Sequence, residues 1–198
     1  MSRVEKAGDR YWALIEPVWI PLNDTWSRGV NDFLLASRKV SRNVLNLYAA
    51  HWCQSEVNNG GFHQFFYNTT GLLAPEAVEG FSAIGLPEWS AVLSEAMGYF
   101  GARYPRERAL RLERLPMADG RTRAEWDPFA GLDDRFYSSD DAKRSRWELA
   151  ADALRWPPPN KQLQRTVERH RGAAARAPFH YARASRFTRQ RAAAELRR

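Results

Sequence analysis

The stretch Trp52-Cys53-Gln54-Ser55-Glu56-Val57-Asn58-Asn59-Gly60-Gly61-Phe62-His63-Gln64-Phe65-Phe66-Tyr67-Asn68 decides the fold. Ahead of it, Val44, Leu45, Tyr48 and Trp52 recur at helical spacing after Ser41, a residue type that caps helix starts. Asn59-Gly60-Gly61 ends that helix, because glycine enters the left-handed conformation that other side chains resist. Phe62, Phe65 and Phe66 then fall at i, i+3 and i+4, so a second, short helix turns three rings to one side as core. A helical core built around a glycine break is the expectation.

The same patterning extends outward. Tyr11, Leu14, Ile15 and Val18 mark a first helix over 10–20, with Pro17 and Pro21 bending or ending it. Asn23 or Asp24 is the expected cap of a second helix, which turns Trp26, Val30, Phe33 and Leu34 inward. Pro75 and Pro87 suit the first turn of a helix, where a missing N–H costs nothing, and they predict helices over 74–84 and 87–100 with Gly85 between. Pro105 opens a strongly charged helix over 106–115. Residues 117–126 read as an exposed loop, and Phe129, Leu132, Phe136 and Tyr137 lead into a last helix over 139–156. No run alternates apolar and polar residues long enough for a strand. The fold class is therefore all-α, a single compact multi-helix domain over 1–156.

Pro157-Pro158-Pro159 stops the last helix, and 157–198 is a basic, Arg/Ala-rich, low-complexity tail whose composition predicts disorder. The formal net charge of +7 is unevenly placed. Residues 1–156 hold 19 Lys and Arg against 21 Asp and Glu, whereas 157–198 hold 11 against 2. The domain is mildly acidic and the tail carries the basic excess. One cysteine, Cys53, allows no intrachain disulfide. The N-terminus has no apolar leader, and no apolar run reaches membrane-spanning length, so a cytoplasmic protein away from membranes is expected.

The quoted stretch, extended back to His51, resembles the core motif of the bacterial DNA-mimic protein, C-terminal domain family. The likeness continues through Gly71-Leu-Leu-Ala-Pro-Glu-Ala-Val-Glu-Gly-Phe-Ser-Ala-Ile-Gly85, Trp126-Asp127-Pro128-Phe129 and Leu132-Asp133-Asp134-Arg135-Phe136-Tyr137, and covers roughly residues 10–155. It implies an all-α domain, no known catalysis and, as in characterised relatives, an acidic surface that occupies a DNA-binding protein. The tail lies outside the family pattern.

Two regions could supply such a surface. One is the window 43–102, sixty residues without a single Lys or Arg, which holds Glu56, Glu76, Glu79, Glu88 and Glu95. The other holds Glu125, Asp127, Asp133, Asp134, Asp140 and Asp141, opposed by Arg135. Against them stands a basic stretch, Arg103, Arg106, Arg108, Arg111, Arg114, Arg121 and Arg123. The partner-binding candidates are Glu76, Glu79, Glu88, Glu95, Asp127, Asp133, Asp134, Asp140 and Asp141. Glu76 and Glu79 also lie near a helix start, where a carboxylate complements the dipole.

Around the glycine turn, Glu56, Asn58, Asn59, His63, Gln64 and Asn68 form a polar cluster. It is either a recognition site or internal bonding that satisfies backbone groups at two helix ends, and caps alone explain these residue types. His51 and Cys53 point to opposite sides of a helix and cannot chelate together. No CxxC, HExxH, phosphate loop or serine elbow exists, so neither a metal nor another cofactor is expected. The function expected is non-enzymatic binding of a protein partner, a basic DNA-binding protein met through an acidic surface. The alternatives are an adaptor or immunity-type interaction protein without mimicry, and an enzyme centred on the Asn-Gly-Gly turn. Direct nucleic-acid binding by the tail, through basic residues interleaved with Phe179, Tyr181 and Phe187, is the less favoured route.

Overall fold

The computed structural model describes residues 3–26, 28–118 and 120–140, with side chains from residue 11 onward except that of residue 12. The tail and most of the helix expected over 139–156 lie outside the described residues. Among the described residues, eight α-helices and a 3₁₀ turn follow in order: α1 Arg3–Trp26, α2 Val30–Ser37, α3 Arg42–Tyr67, the turn Thr69–Leu73, α4 Ala74–Ala83, α5 Pro87–Gly98, α6 Arg108–Leu112, α7 Arg123–Trp126 and α8 Ala130–Ser138. The described residues contain no strand, as the all-α reading expects.

Helix α3 is the centre. It packs against α4 and the 3₁₀ turn, and less extensively against α1, α6 and α8, while α4 packs on α5 and α5 on α8. Ser41 caps α3, its side chain accepting from the Val44 N–H. Helical geometry breaks at Gly60 and Gly61, and Gly61 takes φ +75°. The chain resumes as helix at once, so Phe62, Phe65 and Phe66 are fully buried. Phe66 packs on Phe100 and Phe129 with ring centroids 4.9 and 5.2 Å apart. Trp89 stacks on Phe136 at 4.2 Å and donates its indole N–H to the Phe136 carbonyl. Phe62 of α3 meets the same Phe136 ring edge-on at 5.5 Å, so rings from α3, α5 and α8 lock three helices with both van der Waals contact and a satisfied polar edge.

Several boundaries differ from expectation. Helix α1 passes straight through Pro17 and Pro21 to Trp26. The two prolines are four residues apart, so the hydrogen bonds they forgo lie on one side of the helix, at the carbonyls of residues 13 and 17. Ala13 and Pro21 are exposed, which leaves solvent to complete that side, while Ile15, Val18 and Leu22 hold the other in the core. Asn23 and Asp24 therefore lie within a helix and cap nothing. Asn23 instead hydrogen-bonds the Tyr48 hydroxyl, and α2 begins after Gly29. Residues 117–126 are not all loop, because Thr122 and Glu125 form a reciprocal capping box that starts α7. The helix expected over 106–115 shortens to α6, and Leu132, Phe136 and Tyr137 belong to a helix of their own, α8, with Phe129 at its N-cap.

Candidate functional site

The glycine break is closed by side chains that converge from far along the chain. Glu56, on the last turns before it, accepts from Gln64 Nε2 at 2.8 Å, Asn68 Nδ2 at 2.9 Å and Thr70 Oγ1 at 3.0 Å. One carboxylate thus ties both halves of α3 to the 3₁₀ turn. On the other side, Asp133 of α8 accepts from the Phe62 N–H at 2.8 Å, a donor that a restarting helix leaves open. Arg123 bridges the remainder. Its guanidinium donates to the Gly60 carbonyl, to Asp133 at 2.7 Å and to Asp127 at 2.9 Å, and Asp127 accepts in turn from the Phe129 N–H. A Cβ on Gly61 would lie 2.0 Å from Arg123 Nη2 and 2.2 Å from Asp133 Oδ2. Both the positive φ and this clamp require glycine there.

The C-terminal end of α3 has a second collar, made of arginines. Arg111 is fully buried and donates to the carbonyls of Phe66 and Asn68, each at 2.9 Å, and also to that of Arg106. Arg108 donates to the Tyr67 carbonyl and lies over the Tyr67 ring at 4.8 Å. Arg106 grips the Leu72 carbonyl and both oxygens of Glu76. Carbonyls at a helix C-terminus carry partial negative charge, which is what lets these cations sit inward. Burial nevertheless holds Arg111 below the usual arginine range. These side chains of the basic stretch are structural and form no free basic surface.

The nine acidic candidates fall into separate groups. Glu76, Asp127 and Asp133 are 7%, 4% and 3% exposed, and each is paired with an arginine. They are corrected from surface to interior, since sequence spacing does not show the arginines that draw them in. Burial pushes Asp133 up to about 6, against the opposing pull of the Phe62 N–H and Arg123. Glu79 is exposed but engaged by Arg42 and Asn46, and Arg42 holds its carboxyl below the ordinary range. Glu88, Glu95, Asp134 and Asp140 are exposed on or beside α5 and α8. Glu95 pairs with Arg135 at 2.6 Å, and Glu88 accepts from the Asp140 backbone N–H at 3.2 Å. Asp141 lies outside the described residues.

The polar cluster divides as well. Glu56, Gln64 and Asn68 bond to one another, His63 Nε2 meets the Pro116 carbonyl at 2.8 Å, and Asn58 and Asn59 are exposed on the turn. His51 bonds the Tyr11 hydroxyl, and burial lowers it to about 4, so it is neutral near pH 7. Burial raises the Cys53 thiol well above its ordinary value, which disfavours the nucleophilic thiolate. No three His, Cys, Asp or Glu side chains gather into a metal-binding group among the described residues. No described helix is long and apolar enough to cross a membrane.

Sequence reasoning missed an open depression beside α5 and α8, lined by Tyr99, Phe129 and Leu132 with Glu95 and Arg135 among them. No local pattern marks it, because its walls come from residues thirty or more positions apart. No curated protein and no solved structure matches the chain. A family model described as DMP19-like protein matches residues 38–155, from the approach to α3 through all of α8. That span is more than half of the chain and includes Glu56, the glycine break and its Asp133 clamp, and the chain belongs to the DMP19-like protein family.

Proposed function

We propose that the domain is a non-enzymatic protein-binding module that engages a basic DNA-binding protein through the exposed acids of α5 and α8. The observation that carries this reading is the exposed face of α5. The helix has no Lys or Arg, and Glu88 and Glu95 stand out among exposed Ala91, Ser94 and Gly98. Small neighbours leave the carboxylates accessible. Seven residues of helix rise about 10.5 Å, close to three axial phosphate steps of about 3.4 Å on one DNA strand. Asp134 and Asp140 extend the negative charge beside α5, and Arg135 pairs with Glu95. Family membership and the exposed, base-free face of α5 support this reading.

An interaction without mimicry is the second reading. It is favoured by the number of acids already neutralised within the fold, on Arg42, Arg106 and Arg123. The two separate by competition. A partner captured on the full chain should be released by duplex DNA and by rising salt if α5 and α8 stand in for phosphates. Capture that persists in excess duplex DNA and at high salt contradicts mimicry.

A further inference from the structure

The depression between α5 and α8 has a built character that the acids alone lack. Tyr99 is 44% exposed, yet its ring is fixed: its hydroxyl donates to the Arg114 carbonyl at 2.9 Å, and its ring meets Phe100 and Phe129 edge-on at 5.4 and 5.1 Å. A large exposed ring held in one orientation loses little freedom when covered, which is the property of an anchor point in an interface. Glu95 stands in the same lining, and it is met by Arg135 through a pair whose side chains are 56% and 54% exposed. Exposed pairs of this kind are weak and exchange readily.

We infer that this depression takes an arginine side chain of the partner, whose guanidinium replaces that of Arg135 on Glu95 and lies against the Tyr99 ring. The inference rests on the acidic-face reading above and makes it specific. Arg135 is then an internal stand-in for the cation to be bound. Arginine fits better than lysine, because a planar guanidinium can stack on an aromatic face while making paired bonds to a carboxylate, and a compact ammonium cannot. The apolar floor of Phe129 and Leu132 suits the methylene stem.

The test uses the full chain and two peptides of equal length and charge, one arginine-rich and one lysine-rich, with binding read by fluorescence anisotropy. The arginine peptide should bind about two- to fivefold tighter, the range for an exposed cation–π contact. Arg135→Gln should tighten the arginine peptide further by freeing Glu95. Tyr99→Leu should erase the preference, whereas Tyr99→Phe, which keeps the ring and loses the Arg114 bond, should retain it. Thermal melts of each variant separate loss of the site from loss of the fold. Equal affinity for the two peptides, or a preference that survives Tyr99→Leu in a folded variant, overturns the arginine site and leaves the acidic face standing. Binding of neither peptide, or binding indifferent to Glu88→Lys with Asp134→Lys, overturns the acidic face itself.

Discussion

At the scale of single residues, Gly61 and Asp133 hold the most information. Gly61→Ala forces a Cβ into a positive φ and against Arg123 and Asp133, so roughly 3 kcal/mol of stability should be lost in urea unfolding. Asp133 gives a pH signature. Its pKa in the fold, about 6, lies above the ordinary 3.8, so the folded state holds the proton more tightly than the unfolded chain. The stability this carboxyl contributes is present below the unfolded value and is lost as pH rises through about 6. The margin of the wild type over Asp133→Asn should therefore shrink from pH 4 to pH 6.5, and a margin that grows over that range contradicts the assignment. Gly61 was legible in the sequence, because a paired glycine between two helical patterns has few other uses. Asp133 was not: it stands seventy-one positions from the Phe62 N–H it accepts, and in sequence it looks like a solvated acid beside Asp134.

At the scale of elements, the fold depends on joining pieces of helix. Glu56 links the two halves of α3 and the 3₁₀ turn by accepting from three donors. Glu56→Gln changes the shape little but replaces one acceptor oxygen with a donor, so about 2 kcal/mol should be lost in thermal or urea unfolding. An unchanged melting temperature would show that the three bonds carry no stability. Arg111 does the same work at the end of α3, and Arg111→Met should cost about 3 kcal/mol by removing the guanidinium from the Phe66 and Asn68 carbonyls. Helix type was well marked in the sequence by apolar spacing, and Ser41, Pro75 and Pro87 marked starts correctly. Where expectation failed, longer-range forces had overruled local rules. Ile15, Val18 and Leu22 keep α1 helical through two prolines, and the arginine collar turns an apparent basic patch into internal support.

At the scale of the whole molecule, charge is sorted by position more than by amount. The mildly acidic total of the domain says little, because Glu76, Asp127 and Asp133 are held inside by arginines, while Glu88, Glu95, Asp134 and Asp140 face solvent. Composition could show the base-free window but not which of its acids reach the surface, since that depends on arginines thirty to forty residues away. The distinction is testable by identical charge reversals. Glu76→Lys, placed against Arg106, should cost at least about 3 kcal/mol. Glu88→Lys and Asp134→Lys should each stay within about 0.5 kcal/mol of the wild type. The most direct measurement is partner capture by the full chain carrying Glu88→Lys and Asp134→Lys together, across a salt series. A variant that melts with the wild type and yet loses the partner, in parallel with the loss that salt causes in the wild type, is the predicted result. A folded variant that keeps its partner at every salt concentration would contradict the acidic face of α5 and α8.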